Sequence, residues 1–518
     1  MTEIVFNQIA LPYDRPEEEA LAAVAGRLKR EGLGAERLSV CRRSVDARRQ
    51  SIRFVYAVSA LLDAEPGGDL LTRLGAVPAA LPFVPVPEPH VKPGRPAVVG
   101  FGPCGMFAAL VLAENGCPPL VLERGGIIAE RTEAVKRFNE GGPLDPECNV
   151  QFGAGGAGTF SDGKLTTRIN DPACRYILET FVRFGAPEEI LREGKPHIGT
   201  DVLRRVVENI ARHITGLGGE IRWHTRFEGV IRGEGGRLCG VKTSAGDAEA
   251  AALFLAAGHS ARDTYDVLRR DGFEVLPKAF SVGVRIEQLQ ADIDRAVYGR
   301  YAGDPRLPAA DYGFSYREGE GKAVYTFCMC PGGHVIAAAS EEGTVVTNGM
   351  SDRARDGVNA NAALVVSAAP PSPVEFQRSL EKSAYRLGGG DYSAPVQTVG
   401  GFLDGRLGDE PRRILPGYTR GSWCTARLDS LFGDGITAML RTGLVRFGRI
   451  MPAFAPRDAV LTGAETRTSS PYRVTRGGDF TAGACPDVYP CGEGAGYAGG
   501  IMSAAADGIR CASRYLSR

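Results

Sequence analysis

Residues 97–124, AVVGFGPCGMFAALVLAENGCPPLVLER, admit few local folds. An apolar strand runs into Gly100-x-Gly102-x-x-Gly105, an apolar helix covers 106–114, and a second strand, 120–122, ends in Glu123. Each glycine has a mechanical task in such a unit. One makes the tight turn, one lets backbone approach a pyrophosphate, and one packs helix on strand. The N–H groups that open the helix point at the phosphates, with the positive end of the helix dipole behind them. Gly100, Gly102, Pro103, Cys104 and Gly105 therefore read as the phosphate turn. Glu123 lies about twenty residues on, where a carboxylate accepts hydrogen bonds from a ribose diol, and Arg124 follows it. The pattern predicts a dinucleotide site.

The dinucleotide could be FAD or a nicotinamide, and the far end of the chain bears on that choice. Residues 487–508, DVYPCGEGAGYAGGIMSAAADG, run from a strand through a glycine-rich turn into a small-residue helix that starts near Gly500. This resembles the C-terminal FAD motif of flavoproteins with the glutathione-reductase type of FAD domain. The resemblance makes Gly492, Glu493, Gly499, Gly500 and Ile501 cofactor contacts. It also brings Asp487 to the ribityl-phosphate region and aims the last helix at the flavin pyrimidine. A helix N-terminus stabilises the negative charge of a reduced flavin by about 0.3–2 kcal/mol. Residues 253–258, LFLAAG, are similar to the apolar strand and small-residue turn of these folds, and add Ala257 and Gly258. They follow a predicted hairpin over 229–243. The order of motifs is that of an FAD domain, not of a simple dehydrogenase.

Residues 151–165, QFGAGGAGTFSDGKL, carry glycines enough to permit positive φ and close backbone approach to a flat ring or diphosphate. Gly155, Gly156, Ala157, Gly158, Thr159 and Lys164 are the candidate contacts; the alternative is a flexible surface loop. Together with 326–333 (TFCMCPGG), 347–351 (TNGMS), 465–471 (ETRTSSP) and 42–49, this loop resembles the uncharacterised FAD-dependent dehydrogenase family over nearly the whole chain. The resemblance implies an α/β fold: an FAD/NAD(P)-binding Rossmann-like domain, an inserted α+β substrate domain and a small N-terminal α+β module. It implies a noncovalent FAD that exchanges hydride with a small organic substrate, and names no substrate. No second complete G-x-G-x-x-G is present. The clusters 216–219 and 388–390 lack a following apolar helix, so NAD(P)H is expected only as a transient electron donor.

At 518 residues the chain is too long for one core. Residues 1–85 form the N-terminal module, with strands near 4–11, 38–42 and 51–61 and a helix over 17–30. A linker, 86–95, lies in the proline-rich stretch 82–96. The FAD-binding domain covers 96–274, the substrate domain 275–480, and the return to the FAD domain 481–518. Helices are predicted over 127–139, 174–184 and 201–215. Thr200 serves as N-cap of the last, with Val202, Leu203, Val206, Val207, Ile210 and Ile214 as its apolar stripe.

Lys+Arg and Asp+Glu both number 61, so no global field steers the chain to nucleic acid or membrane. The first residues lack a basic and apolar signal pattern, and no apolar run reaches the roughly 20 residues of a membrane span. The cytoplasm is the expected address. The 12 cysteines are scattered, without C-x-x-C or zinc-ligand spacing, and are expected as reduced thiols with no metal.

Cys328 and Cys330 are the first catalytic candidates. Residues two apart on a strand share a face, and a bridge across one residue is strained and easily reduced. They read as a thiol relay, which would make the chain a thiol–disulfide oxidoreductase, or as two small residues lining the substrate cavity. Dithiol flavin reductases carry C-x-x-x-x-C soon after the first glycine turn. Residues 127–142 hold no cysteine, so the pair does not inherit that role by position.

His259 directly follows the 256–258 turn, and either transfers protons or caps a helix over 260–268. His197 precedes a helix and could equally be packing. Glu465 and Arg467 meet a polar substrate or each other. Arg42, Arg43, Arg48, Arg49 and Arg53, with Asp46 among them, suit a phosphate-rich partner such as RNA, or form a turn whose arginines pair with acids or dock on the FAD domain. The absence of interleaved aromatics weighs against nucleic acid.

Overall fold

The computed structural model describes residues 1–48, 51–63, 65–86, 88–90, 92–319 and 321–518. Arg49, and Pro87 and Val91 of the 86–95 linker, lie outside the described residues.

The N-terminal strands form an antiparallel sheet in the order Arg37–Asp46, Arg53–Leu62, Thr2–Pro12, Ala76–Pro78. Helix Glu18–Arg30 lays Ala20, Val24 and Leu28, spaced four apart, on Ile4, Phe6, Tyr56 and Val58. Ile52, just before strand Arg53–Leu62, packs into the core of a second, larger sheet. The short helix Gly68–Leu74 and strand Ala76–Pro78 have no counterpart in the sequence reading. Strand Arg37–Asp46 docks on residues 192–194. The Arg43 amide donates to the Arg192 carbonyl (2.6 Å), and the Gly194 amide donates to the Arg43 carbonyl (2.7 Å). Arg48 pairs with Asp46 through two hydrogen bonds of 2.8 Å.

A five-stranded parallel sheet follows, in the order Val488–Pro490, Ala252–Leu255, Pro96–Val99, Leu120–Leu122, Glu220–Arg222. The end of the chain thus returns beside the strand at 252–255. Helix Pro103–Glu114 is apolar all round because it is sandwiched: every residue from Cys104 to Ala113 is buried, with Ile501–Leu516 packed along it. Small residues allow the approach. A Cβ at Gly508 would lie 2.2 Å from the Cys104 carbonyl oxygen.

Helix Thr200–Gly216 buries Leu203, Val206, Val207, Ile210 and Ile214, whereas Val202 is half-buried. Its N-cap is Gly199, not Thr200; the Thr200 hydroxyl lies one residue inside and donates to the Thr159 carbonyl. The predicted hairpin is Phe227–Arg232 with Leu238–Thr243, extended by Ala248–Glu249 into a three-stranded sheet.

The chain leaves this region through Val275–Pro277 and returns through Tyr472–Val474, and the two pair antiparallel. Between them lies a seven-stranded sheet in the order Ser315–Arg317, Ala323–Cys330, Asn359–Ala368, Phe280–Leu289, Val460–Glu465, Ala394–Thr398, Trp423–Thr425. Helices Pro373–Leu387 and Asp434–Ile450 belong to the same region. The glycine clusters 216–219 and 388–390 both stand at helix C-terminal ends. Among the described residues, no helix is long and apolar enough to cross a membrane and no cluster of His, Cys, Asp or Glu could hold a metal ion. All 12 cysteines are free thiols.

Candidate functional site

A cleft of about 710 Å³ runs from the C-terminal ends of the parallel strands to the seven-stranded sheet. That volume lies in the usual range of small-molecule and cofactor sites, about 300–1,000 Å³, and the position is where open α/β sheets bind ligands.

At the first turn the three motif glycines differ in what a side chain would meet. Gly100 has φ +93°, and a Cβ there would sit 2.5 Å from the Ala256 carbonyl oxygen. At Gly105 it would sit 1.9 Å from the Gly100 carbonyl oxygen, so this glycine packs helix on strand and does not reach the cleft. Gly102 is extended, and its Cβ would touch only the Gly156 Cα, at 3.7 Å. Gly102, Pro103 and Cys104 all line the cleft.

Glu123 also lines it, yet its carboxylate is a joint between loops. It accepts from the amides of Phe101 (2.8 Å), Gly125 (3.0 Å) and Gly153 (2.9 Å). A carboxylate offers about four lone-pair sites, which leaves one for a ribose hydroxyl. Arg124 is held by Glu147 and Asp263 and lies over the Phe152 ring at 4.3 Å.

The glycine-rich loop is not a flexible surface segment. Arg131, fully buried, donates to the carbonyls of Asn149 (2.8 Å), Val150 (2.7 Å), Ala154 (2.7 Å) and Gly156 (2.8 Å), with a longer contact to Gly153. Gly156, Ala157, Gly158 and Lys164 reach the cleft wall. Gly155 and Thr159 do not: the Gly155 amide donates to the Phe101 carbonyl (2.8 Å), and Thr159 is fully buried. Sequence reasoning missed Arg131, because an arginine on an amphipathic helix carries no sign that it points inward.

At the C-terminal turn, Glu493, Gly499, Gly500 and Ile501 line the cleft, and a Cβ at Gly258, Gly499 or Gly500 would meet nothing within 4 Å. Gly492 stands behind the wall. Its amide donates to Asp507 (2.8 Å), and a Cβ would fall 2.7 Å from that of Cys104. Asp487 does not face the cleft either; it accepts from Arg237 (2.6 Å) and the Leu238 amide.

Ala257, Gly258 and His259 continue the wall. His259 does not cap a helix, since helix Arg262–Arg270 begins after Ala261. Its Nε2 lies 3.5 Å from Glu493. Burial, with Arg467, Arg262 and Lys278 nearby, pushes the imidazole down to about 3, so it is neutral at physiological pH. Burial pushes the Glu493 carboxyl up to about 7, against the pull of Lys278. The pair offers a neutral acceptor beside an acid that titrates near neutrality.

At the far end stand Cys328, Glu465, Arg467 and Lys164. Glu465 and Arg467 do not pair with each other. Glu465 meets Arg285 at 3.0 Å, and Arg467 meets Glu381 at 3.2 Å. Burial pushes Glu465 up to about 7 although Arg285 pulls it down. The strand carrying Cys328 bulges between Phe327 and Cys330, so simple alternation fails. Cys328 reaches the cleft, while Cys330 is fully buried behind it. Lys164 lies 3.8 Å from Asp162, a buried carboxylate that also binds Ser351 and Arg355 and approaches His197 at 3.5 Å. Arg285 and Asp162 were missed as well. The signal for Arg285 was present: a lone arginine in the apolar strand FSVGVRIEQL.

A protein of Clostridium beijerinckii, itself described as uncharacterized, is 42% identical over 531 residues, covering 99% of both chains. Residues 279–468, the seven-stranded sheet and its helices, match the family model described as FAD-dependent protein, C-terminal domain-like. The chain belongs to a family of FAD-dependent proteins. Among solved structures, a geranylgeranyl bacteriochlorophyll reductase-like protein from Thermoplasma acidophilum is 13% identical with a TM-score of 0.37, covering 82% of this chain and 78% of that one. CtdE in complex with FAD is 11% identical with a TM-score of 0.30, covering 82% and 83%. At such TM-scores neither likeness bears on the site. The cleft fits the family's cofactor on its own geometry: bare backbone at Gly102, Gly156, Gly258, Gly499 and Gly500 leaves room along its length.

Proposed function

We propose that this protein is an FAD-dependent oxidoreductase, a dehydrogenase or reductase of a small organic substrate, with its flavin bound noncovalently. The observation that supports this most is the continuity of one cleft from the glycine turn at Gly102 to Cys328, Glu465 and Arg467. Bound there, FAD would supply two-electron hydride chemistry at its N5 atom. The Gly102 and Gly156 backbone would pass along the pyrophosphate, Glu123 would take a ribose hydroxyl, and the Gly500 and Ile501 amides at the start of the last helix would face the flavin ring, the Gly499 amide being used by Ser503. His259 stays neutral, and Glu493 holds or releases a proton near pH 7 beside it. NAD(P)H is proposed as a passing donor, because the remaining glycine clusters end helices rather than start them.

Twelve free thiols accord with a cytoplasmic address. Docking to RNA through the N-terminal module has less support, because the Arg43 guanidinium lies over the Phe54 ring and that of Arg48 pairs with Asp46. Heat release from the purified protein should yield FAD, and anaerobic NADH or NADPH should reduce it with weak saturation. A metabolite screen for re-oxidation then identifies the substrate class. Recovery of FMN alone, or of no flavin after reconstitution, overturns the proposal.

A further inference from the structure

The bulge at Phe327–Cys330 puts two thiols to different uses. Cys328, at φ +45°, is held in a region that non-glycine residues rarely adopt. Its carbonyl accepts from Arg285 (2.5 Å) and from the Cys330 thiol (3.3 Å), so the turn is pinned from behind. The Cys328 side chain is thereby presented at the cleft wall, and Cys330 stays fully buried against it. The charges nearby are Lys164 and Arg285, with Asp162 and Glu465 opposing. The Cys330 thiol, Lys164 and Arg285 pull the Cys328 thiol down, and burial pushes Cys330 up. This is the asymmetry of an attacking and a resolving thiol.

We propose that Cys328 and Cys330 form a dithiol site that reduces small anionic disulfides entering the cleft, Cys328 attacking and Cys330 resolving. The Cys328 thiolate attacks one sulfur of the external disulfide; the S–S bond breaks, one thiolate leaves, and a mixed disulfide forms on Cys328. Cys330 then loses its proton to that leaving thiolate and attacks the Cys328 sulfur, which releases the second thiolate. The external disulfide gains two electrons and leaves as one thiol and one thiolate, the single proton coming from Cys330, while the protein dithiol becomes a disulfide. A bridge across one residue is strained, so it is easily opened again by thiols. No step depends on the flavin, so failure here would leave the proposed function standing.

The test treats the purified full-length protein, as isolated, with one equivalent of 5,5′-dithiobis(2-nitrobenzoate), and separately with glutathione disulfide, followed by peptide mass mapping. Wild type should lose two hydrogens from the 323–353 peptide before the exposed Cys239 is labelled. Cys330→Ser should trap the mixed disulfide on Cys328, and Cys328→Ser should leave the peptide unmodified. Labelling of Cys239 with the 323–353 peptide untouched, or a stable mixed disulfide on Cys328 in wild type, overturns the proposal. The wild-type result stands even if a variant does not fold.

Discussion

Replacing Gly102 by alanine separates the role of the glycine turn in cofactor binding from its role in folding. The backbone there is extended and open to any residue, and the new methyl would meet only the Gly156 Cα, at 3.7 Å. Gly102 is also the N-cap of helix Pro103–Glu114. Alanine is a poorer cap than glycine, but it lowers the entropy of the unfolded chain, and the two effects nearly cancel. Apo stability should change by less than about 1 kcal/mol. On the proposed binding mode the methyl stands where the pyrophosphate would pass, between Gly102 and Gly156, and overfilling a packed contact costs about 1–3 kcal/mol. FAD affinity should therefore fall roughly 5- to 150-fold. Fluorescence titration of apo-protein with FAD, beside thermal unfolding without it, measures both quantities. Gly105→Ala is the control for the opposite behaviour: its Cβ would fall 1.9 Å from the Gly100 carbonyl oxygen, so it should depress the apo melting temperature. A Gly102→Ala protein with normal melting and unchanged FAD affinity would refute the phosphate-site reasoning.

Arg131→Met should leave several buried loop carbonyls without a donor, at about 1–3 kcal/mol for each group left unpaired. It should lower the melting temperature and open 149–158 to protease; normal melting and normal protection would contradict the clamp. Glu493 bears on pH dependence. Its carboxyl is raised to about 7 in the fold, against roughly 4.3 unfolded, so folding favours the protonated form. Its contribution is fully present below pH 4.3, fades as pH rises toward 7 and is gone above. Glu287 and Glu465, also raised to about 7, add to the same fall. Glu493→Gln should make the decline in melting temperature across that window shallower, and a profile parallel to wild type would rule the assignment out.

What could be read from the chain was local. The strand–turn–helix at 97–124, the last helix after Gly500 and the stripe from Leu203 to Ile214 follow from spacing and side-chain size, which act within one element. The errors share a different cause. Glu465 and Arg467, two apart, looked like natural partners, yet Arg285 reaches Glu465 across 180 residues and Glu381 reaches Arg467 across 86. Asp487 turned to Arg237 for the same reason. The equivalence of Cys328 and Cys330 rested on strict alternation, and one extra residue in the strand abolishes it. Buried ion pairs and bulges are set by which elements meet, and no window of sequence contains that information.

Those long-range pairs also give the cleft its charge. Glu381, fully buried, accepts from Arg262 (2.7 and 2.9 Å), Arg467 (3.2 Å) and the Thr466 hydroxyl (2.7 Å). Glu341 pairs with Arg262 and Arg378. Three guanidinium groups thus face two carboxylates, leaving one net positive charge, and Arg467 is the member that reaches the cleft wall. Burying such a cluster is costly, and removing one partner of a buried pair typically costs 3–5 kcal/mol, so its geometry is held firmly. Of Arg467's five N–H groups, the contacts to Glu381 and Ser340 occupy three, which leaves donors for a ligand. Burial raises both Glu465 and Glu493 to about 7, and Glu465 faces Arg285 at 3.0 Å rather than Arg467. The cleft wall is therefore cationic at Arg467, while around Cys328 itself Lys164 and Arg285 pull the thiol toward its thiolate against Asp162.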